Sequence, residues 1–177
     1  MDVNARVRTG LFVALLALSG ALLVAEGDAD SVSAASAGAY YYDESSLEGE
    51  ALYDLMASRQ AAFVWSTVNE DGSPNASVMV PGVVDRRAGV IAQSFGGGGN
   101  QTIENIKNGD LAVLTVYQHN PEAEDRLERN IGARIVIEYV SSRSQQERLL
   151  EQYQAMNERA TLENTVFMRI VRVLPIG

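Results

Sequence analysis

The sequence predicts a mainly β protein, an antiparallel barrel with helices on its periphery. Three features carry that expectation. Six runs rich in β-branched and aromatic residues lie between residues 61 and 174. The early runs are separated by short turns of the hairpin kind, and the only long helical pattern in the second half precedes the last run. No regular strand–helix alternation is present, so a parallel sheet built from crossover units is not expected.

Taken in order, residues 46–58 (SLEGEALYDLMAS) place Leu47, Ala51, Leu52, Leu55 and Met56 at helical spacing, with Ser45 or Ser46 available as N-cap. Residues 61–68 (AAFVWSTV) form the first strand, closed by the turn Asn69-Glu70-Asp71-Gly72. Residues 75–84 (NASVMVPGVV) return as a second strand, with a bulge or bend expected at Pro81-Gly82. A turn over residues 85–89 leads to the third strand, residues 90–95 (VIAQSF). The four glycines Gly96 to Gly99 precede a short helix over residues 100–108, with Gly109 as its C-cap. Residues 111–117 (LAVLTVY) and 131–140 (IGARIVIEYV) are the fourth and fifth strands, flanking a polar, acidic connection. A helix over residues 144–159 puts Leu149, Leu150, Tyr153 and Met156 on one face, and residues 165–174 (TVFMRIVRVL) alternate as the last strand.

Composition narrows the function classes. A chain of 177 residues with 46% hydrophobic and 21% charged residues suits one globular domain. A net charge of −9 opposes binding to nucleic acids and to anionic membranes. With no cysteine and a single histidine, His119, thiolate chemistry, disulfides and His-rich metal sites are excluded. No nucleophile–base pair stands out. Glu122 and Glu124 have no apolar setting to tune them for acid–base work.

The N-terminal region reads as an address. Arg6 and Arg8 precede an uncharged apolar run, residues 11–25, shorter than the roughly 20 residues of a spanning helix. Small and polar residues follow it, the pattern of a secretory signal peptide with cleavage after Ala25, Ala37 or Ala39. Left uncleaved, the same run would act as a membrane anchor. Residues 1–39 are thus expected to be signal and leader, and residues 40–177 one extracytoplasmic domain, with Tyr40-Tyr41-Tyr42 marking where order begins.

Three segments, in their order and spacing, resemble the pyridoxamine 5′-phosphate oxidase-like family of FMN-binding split barrels. They are residues 69–75 (NEDGSPN), residues 92–95 (AQSF) with the glycines after them, and residues 100–106 (NQTIENI) followed by 111–114 (LAVL). The likeness covers residues 46–139. It implies a six-stranded antiparallel split β-barrel, FMN as cofactor, and a homodimer with the flavin at the subunit interface. Carried over position by position, Gln101 and Thr102, with Asn100, meet the flavin phosphate. Ser77, Val78, Met79 and Val80, with Gln93, Ser94 and Phe95, line the isoalloxazine ring and ribityl chain.

Physical chemistry suits that placement. Consecutive glycines allow close backbone approach, and the first turn of a helix offers N–H donors to an anion. One departure stands out: relatives place a Lys or Arg near the phosphate, whereas Gln101 is neutral. Arg59, Arg134 or Arg169 could supply the charge, from the same or a second subunit. The implied activity is that of a flavin oxidoreductase or electron carrier acting on a small molecule. Vitamin B6 oxidation itself is not expected, because true pyridoxamine phosphate oxidases carry basic C-terminal residues for the substrate phosphate that residues 172–177 (RVLPIG) match only superficially. Export leaves open a second reading, a flavin-free split-barrel dimer acting as a binding protein.

Overall fold

A computed structural model describes residues 45–96, 100–109 and 111–176. The expectations for the leader, for Tyr40-Tyr41-Tyr42 and for Gly97 to Gly99 lie outside the described residues.

The chain runs α1 (Gly49–Ser58), β1 (Ala62–Val68), β2 (Pro74–Val78), β3 (Gly82–Asp85), β4 (Val90–Ser94), α2 (Gln101–Gly109), β5 (Leu111–His119), α3 (Arg126–Arg129), β6 (Asn130–Tyr139), α4 (Arg143–Gln154) and β7 (Thr165–Leu174). All strand pairs are antiparallel, in the order β2-β1-β5-β6-β7-β4-β3. The sheet therefore has seven strands, not six. The expected second strand is two, divided at residues 79–81, where Pro81 lacks the N–H that a continuing ladder requires.

That division sets the architecture. β2 and β3 are adjacent in sequence but occupy opposite edges of the sheet. A flat sheet of seven strands would hold its edges about 29 Å apart at ~4.8 Å per strand. The three residues from Met79 to Pro81 can span no more than about 14 Å between Val78 and Gly82. The sheet must therefore curl until its edges approach, without pairing: an unclosed barrel.

Phe63, Trp65, Ile91, Leu114, Val116, Ile135, Ile137 and Met168 point inward from the strands and fill the barrel. Leu52, Leu55 and Met56 of α1 and Ile103 and Ile106 of α2 join the same core. Arg86, in the β3–β4 turn, holds α1 through 2.7 Å contacts to both Glu50 and Asp54. Outside the barrel, α4 covers β4 and β7, with Tyr153 edge-on to Phe167 at 6.1 Å between ring centres. Ser46, expected within the first helix, instead bridges to Gly132, so α1 begins at Gly49.

The remaining outer surface, over β2, β1 and β5, has no helix packed on it among the described residues. Strand alternation turns Ala62, Val64, Ser66 and Val68 outward from β1, Pro74, Ala76 and Val78 from β2, and Leu111, Val113, Thr115 and Tyr117 from β5. None of these is charged. Val68 is 66% exposed and Val78 73%.

Candidate functional site

The site is organised around α2. Asn100 accepts the N–H of Ile103 on its Oδ1 (3.2 Å), and its carbonyl accepts from Glu104, so it caps the helix. The inward face of α2 is polar at Thr102 and Asn105, and the hairpin β1–β2 meets it with polar side chains of its own. Asn75 donates to Thr67 Oγ1 (2.9 Å) and to Thr102 Oγ1 (2.8 Å), and Thr102 donates to Ser77 Oγ (2.8 Å). Asn105 donates to Thr67 Oγ1 (2.9 Å) and Asn69 Oδ1 (2.8 Å), and accepts from Gln101 Nε2 (2.7 Å). These side chains sew hairpin and helix together without a formal charge. Partnering is what makes burial of such polar groups tolerable.

The sequence-derived positions distribute as follows. Ser77, Met79, Asn100 and Thr102 come together where β2 ends against α2: Asn100 Nδ2 lies 3.5 Å from Met79 Sδ, and Trp65 Nε1 donates to the Met79 carbonyl at 2.7 Å, whereas Gln101 faces the β1–β2 turn. Val78 and Val80 alternate to the opposite, exposed face of the same segment. Phe95 borders α2, with the Lys107 ammonium 5.6 Å from its ring centre. Lys107 also lies 3.7 Å from Glu104. Ser94 turns towards the other side of the sheet, bonding Thr165 Oγ1 (3.0 Å) and accepting from Asn157 Nδ2 (3.1 Å). Gln93 is buried; its Nε2 donates to the Ser94 carbonyl, while its Oε1 has no partner among the described residues.

Thr102 is 2% exposed and its single hydroxyl proton is committed to Ser77. Its side chain therefore serves the fold directly. Thr102→Ala is expected to lower the unfolding free energy by about 1–3 kcal/mol, because Ser77 and Asn75 lose a buried partner. Thr102→Ser should recover most of that loss. Urea denaturation of the three proteins checks it.

Sequence reasoning passed over two features. The first is the inward polar set Thr67, Asn75 and Asn105. Its signal was available as amide and hydroxyl residues at positions where strand or helix periodicity calls for apolar ones. The second is a cavity of about 640 Å³ between α1, β3 and the end of α4, lined by Met56, Arg59, Gly82, Arg86, Tyr153, Met156 and Asn157 among others. Tyr153 is 7% exposed. Its ring fits against β3 because residue 82 is glycine: a Cβ there would lie 2.7 Å from Tyr153 Cε2. Asn157 links this cavity to Ser94.

Of the arginines considered as phosphate partners, Arg59 lines that cavity, Arg134 donates to the Pro175 carbonyl (2.8 Å), and Arg169 pairs with Glu138 (3.5 Å). Outside Gln101 lies an open depression of about 450 Å³ whose other lining residues are Asn69, Glu70 and Asp71. The Asp71 carboxyl is held below the usual carboxylate range, first by the Ser73 hydroxyl (2.6 Å) and then by the Ser73 N–H (2.9 Å). At the end of β5, Tyr117 and His119 both bond to Asn130 Oδ1 at 2.8 Å on the exposed surface.

No protein-family model matches the sequence, and no curated protein is significantly similar to it. Solved structures do match. An FMN-binding protein from Syntrophomonas wolfei subsp. wolfei superposes with a TM-score of 0.50 at 18% identity, over 71% of this chain and 84% of that one. HupZ of Group A Streptococcus gives a TM-score of 0.50 at 16% identity, over 73% and 94% of the respective chains. HutZ, a heme storage protein from Vibrio cholerae, gives 0.45 at 15% identity, over 73% and 91%. The resemblance to FMN-binding split barrels read from the sequence is thus borne out at the level of fold.

Proposed function

We propose that the protein is an exported flavin-binding oxidoreductase or electron carrier, active as a homodimer. One observation carries the reading. Ser77, Met79, Asn100 and Thr102 meet where β2 ends against the start of α2, Phe95 lies beside Lys107 of the same helix, and these positions are among those that the resemblance assigns to FMN. The residues present fit the ring of such a cofactor. Phe95 and the exposed Val78 and Val80 offer apolar surface, and the neutral carboxamides of Asn100 and Gln101 and the Ser77 hydroxyl suit the polar chain of a flavin.

The flavin, when bound, supplies the hydride or electron transfer; the protein binds it, orients it and excludes water. The cavity beside Ser94 takes the small-molecule substrate, with the Tyr153 hydroxyl and the Arg59 guanidinium as its polar contacts. The uncharged outer face of β2, β1 and β5 is covered by a second copy of the chain, which closes the exposed side of Val78 and Val80. A chain with 21% charged residues does not ordinarily leave so large a face without one.

The test is the visible spectrum of the purified protein, before and after incubation with excess flavin and desalting. Flavin absorption retained at about one per protomer supports the reading. A colourless protein that cannot be reconstituted favours the alternative, a flavin-free binding dimer. The specific observation behind that alternative is the polar network, whose side chains already satisfy one another.

A further inference from the structure

We propose that this site does not select for the phosphate of its flavin: riboflavin, which ends in a hydroxyl, binds at least as tightly as FMN. The inference rests on the flavin reading above and concerns which flavin the site takes.

A phosphate dianion needs a cation or several uncommitted donors. At the three positions assigned to it, the side chains are neutral and largely engaged. Asn100 caps Ile103, Gln101 donates to Asn105, and the Thr102 proton goes to Ser77. The cation nearest in sequence, Lys107, lies against Glu104 and the Phe95 ring. The depression that Gln101 opens onto is lined by Glu70 and Asp71, with no lysine or arginine among its lining residues. Asp71 stays ionised because the Ser73 hydroxyl and N–H stabilise its carboxylate.

The partial positive charge at the start of α2, roughly half a unit, favours an anion in principle. Here two full carboxylates already stand on that side, and a dianion brought among them meets net repulsion. A terminal hydroxyl carries no such penalty. It can donate to a carboxylate or an amide oxygen and accept from an amide N–H. Glu70 and Asp71 are therefore determinants of specificity against the phosphomonoester.

The experiment is a calorimetric or fluorescence titration of the full protein with riboflavin and with FMN, at low and high salt. Expected are riboflavin binding no weaker than FMN, and FMN affinity that holds or rises with salt as repulsion is screened. The Glu70→Gln variant, exposed and making no hydrogen bond among the described residues, and the further change Asp71→Asn should tighten FMN relative to riboflavin. FMN binding more than about tenfold tighter than riboflavin, and weakening with salt, overturns the inference while leaving the flavin reading intact. Binding of neither flavin overturns the flavin reading itself, and this inference with it.

Discussion

Gly132→Ala is expected to abolish stable folding, with a loss of about 4 kcal/mol or more. Gly132 sits in β6 opposite Tyr117, with φ at +156°, and a Cβ built on it would lie 2.0 Å from the Val116 carbonyl oxygen. That oxygen belongs to the backbone of a central strand, so no side-chain rotation relieves the clash. The same residue anchors the entry of the chain: Leu47 N–H donates to its carbonyl at 2.8 Å, and Ser46 bridges to it. Ser46 Oγ in turn accepts the N–H of Ile176, so the clash would also loosen the C-terminal strap. Expression in the insoluble fraction, or a urea midpoint far below that of the parent, is the expected result. A parent-like midpoint would mean that β5 and β6 are not in the register described.

The second large effect concerns association. Val113→Glu combined with Val64→Glu places carboxylates on the uncharged outer face. Both positions are only partly exposed within one protomer, and β-propensity differences there amount to about 1 kcal/mol at most. In the homodimer proposed above this face is buried against a second copy carrying the same new carboxylates, and burying unpaired like charges there costs several kcal/mol. The proposed dimer is expected to weaken by at least about two orders of magnitude, to a folded monomer at micromolar concentration, and flavin occupancy should fall with it. Light scattering after gel filtration, with circular dichroism to verify folding, reads the outcome. A variant that stays dimeric places the interface elsewhere.

Most elements were legible in the sequence because period and punctuation agreed. β1, β4, β5, β6 and β7 follow the apolar runs closely, while Gly109, expected to cap α2, is its last helical residue. The exception is the segment from Pro74 to Asp85. Its valines continue on both sides of Pro81-Gly82, so it reads as one bent strand, but its two halves belong to opposite edges of the sheet. Local sequence cannot distinguish a bulge at Pro81-Gly82 from a passage between edges, because the difference lies in long-range pairing. Likewise Ser46 carries the chemistry of a helix cap, but it is used in a bridge to a residue far along the chain.

For the site, the sequence indicated the segments and not the use of each side chain. Thr102 is a hydroxyl on the first turn of a helix after a glycine run, a common setting for an anion ligand. Only the arrival of Asn75 and Ser77 from the hairpin shows that its hydrogen-bonding capacity is taken up within the fold. Ser94 illustrates the reverse: its neighbour Asn157 comes from the segment after α4, and together they lead to a cavity that no single segment announces.

The proposed flavin site lies where β2 ends against the start of α2, with Phe95 beside the same helix. Amide chemical shifts of labelled protein, followed during titration with riboflavin, test it most directly. The account predicts that the largest changes fall on residues 77–80, 93–96 and 100–103, with smaller ones on the outer face of β5. Saturable changes confined to other parts of the barrel, or no changes at all, would contradict it.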